Sequence, residues 1–169
     1  MIKIAYISRV AVPNRVAQAE QILSMSRAFY DILNDDFLLI CTKTNEDLDR
    51  RINFKRKIID IKTKNKVLRN ILFAFKMYLF LKRNKPKYIY TRDILISVVS
   101  CIFFKIPTFY EAHQPLRSFY SKFLQYVLSK NKSYSLITIT NSLKLYYQKR
   151  LNYRNKINVI PNGVYLPDY

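Results

Sequence analysis

The sequence predicts an α/β protein: a single domain with a doubly wound, mostly parallel sheet of the Rossmann-like type. Three observations carry this. Short apolar runs rich in β-branched residues alternate with longer segments of helical periodicity, the pattern of strands joined by crossover helices. The runs show little polar alternation, as expected of strands buried on both faces. The chain has 169 residues, half of them apolar, enough for one domain with a sizeable core.

The elements follow in order. KIAYIS (3–8) reads as the first strand. Gln18 to Leu33 reads as a helix, with Ile22, Leu23, Met25, Ala28, Phe29 and Ile32 recurring at helical spacing. DFLLIC (36–41) and KIIDI (57–61) are the next strands. Val67 to Lys82 is helical and apolar over much of its circumference, and Pro86 closes it. KYIYT (87–91) is a strand, Ile94 to Phe104 a buried helix, and TFYEA (108–112) a strand opened by Pro107. Leu116 to Ser129 forms a helix with Phe119, Phe123, Tyr126 and Val127 on one side. SLITIT (135–140) is a strand, and Asn141 caps a helix over Ser142 to Leu151. KINVI (156–160) is a last short strand before PNG. No internal repeat or low-complexity linker interrupts the pattern.

Composition narrows the chemistry. Gly163 is the one glycine, which excludes a phosphate loop built from several glycines. The formal charge is +19 and it is uneven: Arg50 to Lys87 holds fourteen basic residues and one acid, Asp60, and Ala112 to Pro167 holds nine basic residues and no acid. Such a field favours anionic partners. Compositional drift explains it equally well, because the abundant Asn, Ile, Tyr and Phe share AT-rich codons with Lys. No nucleic-acid motif accompanies the charge, which argues against a nucleic-acid partner. Cys41 and Cys101 lie in apolar runs and read as buried thiols. With one histidine and two separated cysteines, a metal site is not expected. The start MIKIAYIS does not read as a signal peptide, and the longest charge-free apolar stretch, 94–104, falls short of the ~20 residues of a spanning helix. A cytoplasmic location follows, with peripheral contact at the inner face of the plasma membrane left open.

In such sheets ligands bind at the carboxyl ends of the strands. That rule selects Ser8 to Arg15, Thr91 to Asp93, Glu111 to Gln114 and Thr140 to Ser142. His113, the one histidine, can donate a hydrogen bond to a ligand or move a proton near neutral pH. Glu111 can orient His113, fix its own loop, or remain a solvated carboxylate. Arg92 can bind an anion or pair with Asp93 or Glu111. Asn141 is first a helix cap and second a polar contact. Asn162 and Gly163 suit a turn with positive φ.

These stretches also carry a resemblance. YIYTRD, a buried helix and IPTFYEAHQP, then LITITNSLKLYYQKR, then KINVIPNGV, together with the opening ISRVAVPNRVAQAEQILSMSRAF, resemble in order and spacing the N-terminal domain of glycosyltransferase family 4. The resemblance implies half of a two-domain GT-B enzyme of the retaining type. Its acceptor-side domain would be 1–161, and 162–169 would begin the interdomain hinge. The donor half and its glutamate pair would be absent, either as a separate donor-binding chain or lost by truncation. It implies a nucleotide-sugar donor as substrate with no cofactor, a glycan or lipid-linked acceptor, and His113 facing the transferred sugar. Many members carry a glycine pair in the first loop. Here the loop SRVAVPNRVAQA has none, so Arg9, Asn14 and Arg15 are the acceptor- or anion-binding candidates, with Arg92, Glu111, Asn141, Asn162 and Gly163. The alternative is a non-catalytic basic module that binds an anionic membrane surface or a partner chain. The helix from Val67 to Arg83, aromatic and flanked by Lys and Arg, suits either a membrane surface or the core of the domain.

Overall fold

The computed structural model describes residues 2–14, 16–43 and 52–161. The strands are β1 (Ile4–Ala11), β2 (Phe37–Thr42), β3 (Arg56–Ile59), β4 (Tyr88–Thr91), β5 (Thr108–Ala112), β6 (Tyr134–Thr138) and β7 (Ile157–Val159). They form one sheet in the order β3-β2-β1-β4-β5-β6-β7, and every neighbouring pair is parallel. The helices are α1 (Ala17–Leu33), α2 (Lys66–Asn84), α3 (Ile94–Val98), α4 (Phe119–Ser129) and α5 (Asn141–Arg150). The chain is thus a single Rossmann-like α/β domain, with a sheet that is parallel throughout.

Alternation along β1 divides the core. Tyr6 packs with Ala19, Ile22 and Leu23 of α1, whereas Ala5 and Ile7 pack with Phe73, Met77 and Leu81 of α2 and Ile96 of α3. The register carries this division across the sheet. Ile89 pairs with Thr108, so Tyr110 and Ala112 face the way Ile89 does, and they pack with Leu128 of α4 and Leu143 and Tyr147 of α5. Helix α1 therefore covers one face and α2 to α5 the other. Right-handed crossovers require this when the chain winds in opposite directions from β1 and from β4.

Local chemistry sets the helix ends. In α1, Ala19, Ile22, Leu23 and Ser26 are buried at helical spacing, and the helix stops at Asn34, whose φ of 48° asparagine tolerates. The Asn65 side chain accepts from the amides of Val67 and Leu68 to start α2, and Lys82 and Arg83 lie in its last turn, where the macrodipole favours cations. Helix α2 is a core helix along one side, burying Phe73, Met77, Phe80 and Leu81. A second apolar stripe, Leu68, Ile71, Phe75 and Leu79, is exposed on its other side.

Three expectations need correction. The helix expected over 94–104 is regular only to Val98, and Val99–Phe103 winds as a π turn. Ser100 Oγ lies 2.9 Å from the Ile96 carbonyl, 3.2 Å from that of Ser97 and 2.7 Å from Thr108 Oγ1, so a hydroxyl competes within the ladder and ties it to β5. Ile102 and Phe103 are exposed there. Helix α4 begins at Phe119, where Ser118 accepts from the Ser121 amide, and not at Leu116. The side shared by Phe119, Phe123 and Tyr126 faces outward, and burial falls on Leu124, Gln125 and Leu128. A glutamine occupies the core side because its Oε1 accepts from the buried Tyr134 hydroxyl at 2.7 Å, so apolar periodicity marks the wrong face. The cap of α5 is Thr140, which accepts from the Leu143 amide, and Asn141 is the first helical residue.

Cys41 and Cys101 are buried thiols, and burial raises the pKa of both. Among the described residues no helix is long and apolar enough to cross a membrane.

Candidate functional site

The winding of the sheet reverses between β1 and β4, and such a reversal opens a crevice at the strands' carboxyl ends. Thr91 stitches this point together: its Oγ1 donates to the Ile7 carbonyl at 2.7 Å and accepts from the Asp93 amide at 3.1 Å. The next residue, Arg92, is the centre of the site. Its Nε donates to Glu111 Oε2 at 2.8 Å, its Nη2 to Glu111 Oε1 at 3.3 Å, and its Nη1 to Gln21 Oε1 of α1 at 3.1 Å. Both side chains of the ion pair are buried, 6% and 2% exposed. Of the two partners open to Arg92 in the sequence, Glu111 is the one it takes.

His113 joins the same carboxylate. Its Nε2 lies 2.9 Å from Glu111 Oε1, at ion-pair distance but off the alignment of a hydrogen bond. Burial by itself would raise the Glu111 pKa. The His113 contact and the Arg92 charge outweigh it and hold the carboxyl below its ordinary range. Glu111 is thus an anion fixed from two sides. Burial, followed by the Glu111 charge, raises the Tyr90 pKa, so the Tyr90 hydroxyl stays neutral.

Arg9 pairs with Asp93. Asp93 is buried, and burial raises its pKa against the pull of Arg9 and of the Leu95 and Ile96 amides. Its Oδ1 accepts from the Leu95 amide at 2.9 Å, so it also caps α3.

Two clefts flank Arg92. The larger, about 600 Å³, includes Ser8, Arg9, Asn14, Thr42, Lys43 and Asp60 in its walls, together with the start of α2. The smaller, about 310 Å³, includes Tyr110, Glu111, His113, Gln114 and Arg117. Gln18 and Arg92 line both, so the clefts meet at the Arg92 side chain. Of the residues singled out from the sequence, Arg9 and Asn14 lie in the larger cleft, Glu111 and His113 in the smaller, and Arg92 between them. Asn141 is exposed and lines neither cleft. Arg15, Asn162 and Gly163 lie outside the described residues.

Sequence reasoning missed Gln21, Lys43, Lys66 and Arg69. Gln21 follows Gln18 by one helical turn, so both glutamines reach the same edge of α1, but a glutamine in an amphipathic helix carries no signal of its own. Lys66 and Arg69 were visible as charges flanking an apolar helix. Only the crossover from β3 brings them to the strand ends.

The family described as Glycosyltransferase Family 4 matches residues 18–166. No curated protein matches the sequence. Among solved structures the fold is similar to that of the lipopolysaccharide outer core galactosyltransferase WaaB in its apo form, with a TM-score of 0.66, 16% identity, and 95% of this chain covering 46% of that one. It is also similar to Anabaena Alr3699/HepE in complex with UDP, with a TM-score of 0.64, 14% identity, and 95% of this chain covering 44% of that one. Acinetobacter baumannii MurG aligns with a TM-score of 0.54 and 13% identity over 99% of this chain and 47% of its own. At these identities the likeness is one of fold, and the chain spans about half the length of each structure. With this match over most of its length, the chain belongs to glycosyltransferase family 4, and its single Rossmann-like domain corresponds to the N-terminal half of a GT-B glycosyltransferase.

Proposed function

We propose that the chain is the acceptor-binding domain of a retaining glycosyltransferase that moves a sugar from a nucleotide-sugar donor to a glycan or a lipid-linked saccharide. The observation that carries this reading is the buried Arg92–Glu111 pair with the partly exposed His113 on the same carboxylate, where two clefts meet at the reversal of the sheet. In the reaction an acceptor hydroxyl oxygen bonds to the anomeric carbon of the donor sugar as the bond from that carbon to the diphosphate breaks. The hydroxyl proton leaves with the diphosphate. Glu111 holds the imidazole, and His113 donates to a hydroxyl of the transferred sugar. Arg9 and Asn14 orient the acceptor. Alignment of this kind lowers the barrier by fixing the reacting atoms. Arg92 has its charge occupied by Glu111 and acts as the wall between the clefts. The donor half of the fold supplies the groups that hold the departing diphosphate, so turnover needs both halves.

The test is a sugar-transfer assay over a panel of nucleotide sugars, with the purified chain alone and with the proteins that co-purify with it from native lysate. Transfer that needs a co-purified donor-binding chain, and that falls at least about tenfold in His113→Ala, supports the reading. Turnover by the chain alone, or transfer indifferent to His113→Ala, overturns it.

A second reading concerns where the domain works. Phe119 is 85% exposed, and Phe123, Tyr126, Phe75, Ile71 and Leu68 also point outward from the α2–α5 layer. Within that layer the sequence from Ile61 to Arg92 contains no acid, and after Asp93 the described residues contain only the buried Glu111. An apolar, aromatic surface set among cations fits the interface of an anionic bilayer. Co-sedimentation with vesicles tests it. Binding to vesicles containing anionic lipid, lost in F119S/F123S/Y126S, supports peripheral contact through α4, whereas equal binding to zwitterionic vesicles or no binding at all contradicts it.

A further inference from the structure

The larger cleft is a basic one. Its walls contain Arg9, Lys43, Lys66, Arg69 and Arg92, against the carboxylates Asp60 and Asp93. Most of these charges have a partner. Asp93 takes Arg9, Glu111 takes Arg92, and Asp60 lies 3.9 Å from Lys43. Lys66 and Arg69 have no carboxylate among the described residues. Lys66, Arg69, Asn70 and Phe73 line the cleft at positions i, i+3, i+4 and i+7, so one stripe of α2 faces it, cationic at the rim and apolar at depth. Both cations stand in the first turn of α2, where the macrodipole is positive and disfavours them, and that turn contains no acid. Within the described protein nothing offsets this placement, whereas an anion in the cleft would meet the cations and the helix end together.

We propose that the α2 wall of this cleft, through Lys66 and Arg69 with Lys43 and Asn70 beside them, binds a phosphoryl group on the acceptor. This deepens the acceptor-domain reading and rests on it. A phosphoryl group carries close to two charges and three acceptor oxygens, which two to three cationic donors and an amide can satisfy. A carboxylate offers one charge and two oxygens. The acceptor class is therefore a phosphorylated or diphosphate-linked saccharide, with its phosphate against α2 and its sugar toward Arg92 and the smaller cleft.

The test follows backbone amide shifts of the isotopically labelled chain during titration with inorganic pyrophosphate, glucose 1-phosphate, glucose and UDP at low ionic strength. The two phosphates are expected to move the amides of residues 66–70 and 42–43, and glucose is not. Their dissociation constants should rise about tenfold or more in K66Q/R69Q and stay unchanged in K149Q/R150Q on α5. Because the substitution removes cations from a helix N-terminus, K66Q/R69Q should melt no lower than the parent, and R69Q alone gives the same direction of change. Phosphate binding unaffected by K66Q/R69Q, or weakened equally by K149Q/R150Q, reduces the site to a diffuse field and overturns the inference. UDP binding at these residues far more tightly than pyrophosphate overturns it too, because the donor's diphosphate would then be the occupant. Undiminished transfer to a phosphorylated acceptor by K66Q/R69Q, with the donor half supplied, would overturn this inference and leave the acceptor reading standing. Phosphate binding at Lys66 and Arg69 alongside transfer indifferent to His113→Ala would do the reverse.

Discussion

Removing the Glu111 side chain tests whether the centre of the site is also a keystone of stability. In Glu111→Ala the Arg92 guanidinium, 6% exposed, keeps its charge but loses both carboxylate contacts. Breaking a buried pair by deleting one partner costs about 3–5 kcal/mol, because the remaining charge is uncompensated. Gln21 Oε1 still accepts from Nη1, which places the expected loss near the lower end of that range. For a domain of this size, a loss of about 3 kcal/mol lowers the melting midpoint by roughly 6–12 °C. Scanning calorimetry and urea unfolding followed by circular dichroism give both quantities. The double substitution R92M/E111L removes both charges, and it should recover to within about 1–2 kcal/mol of the parent, since a buried pair rarely outperforms a well-packed apolar replacement. A Glu111→Ala protein within about 1 kcal/mol of the parent would refute the reasoning, as would a double variant no more stable than the single one.

The remaining predictions concern pH and packing. The Glu111 pKa is lowered in the folded state, so its contribution to stability is complete above the unfolded value of about 4.3 and is lost as the pH falls through the folded value. The gap in unfolding free energy between the parent and Glu111→Gln should therefore narrow on acidification, and a gap independent of pH would contradict the assignment. Asp93 has the opposite sign: its raised pKa disfavours the anion at neutral pH. Asp93→Asn, which can still cap α3, should melt higher than the parent at pH 7, with the difference closing in acid. Phe73 is fully buried under the sheet, and Phe73→Ala should cost about 3–5 kcal/mol in urea unfolding. By contrast, Phe119→Ser should change stability by no more than about 0.5 kcal/mol, because its ring is 85% exposed.

The sheet was legible because its signal is local and redundant. Each strand is a short apolar run, each helix a periodic one, and the alternation leaves few topologies open. The site was legible in part. The rule of strand carboxyl ends found Arg9, Arg92, Glu111 and His113, because those positions depend only on where β1, β4 and β5 end. Pairing was not legible. Arg92 choosing Glu111 over Asp93 depends on the register of β4 against β5, which sets Glu111 on the α1 face beside Tyr90. The face of α4 was misjudged because Gln125 is buried through a hydrogen bond to Tyr134, which apolar periodicity does not register. The cations of the α2 wall were hidden for a third reason. Their distance in sequence from β1 and β4 conceals that a crossover returns them to the same cleft.

The central claim is that this domain holds the acceptor and not the donor. Amide shift mapping of the chain, titrated separately with a panel of oligosaccharides and a panel of nucleotide sugars, tests it most directly. The account predicts that saccharides move the amides around Arg92, Glu111 and His113 while nucleotide sugars bind weakly or not at all. Tight nucleotide-sugar binding by this chain alone, with no response to any saccharide, would contradict it.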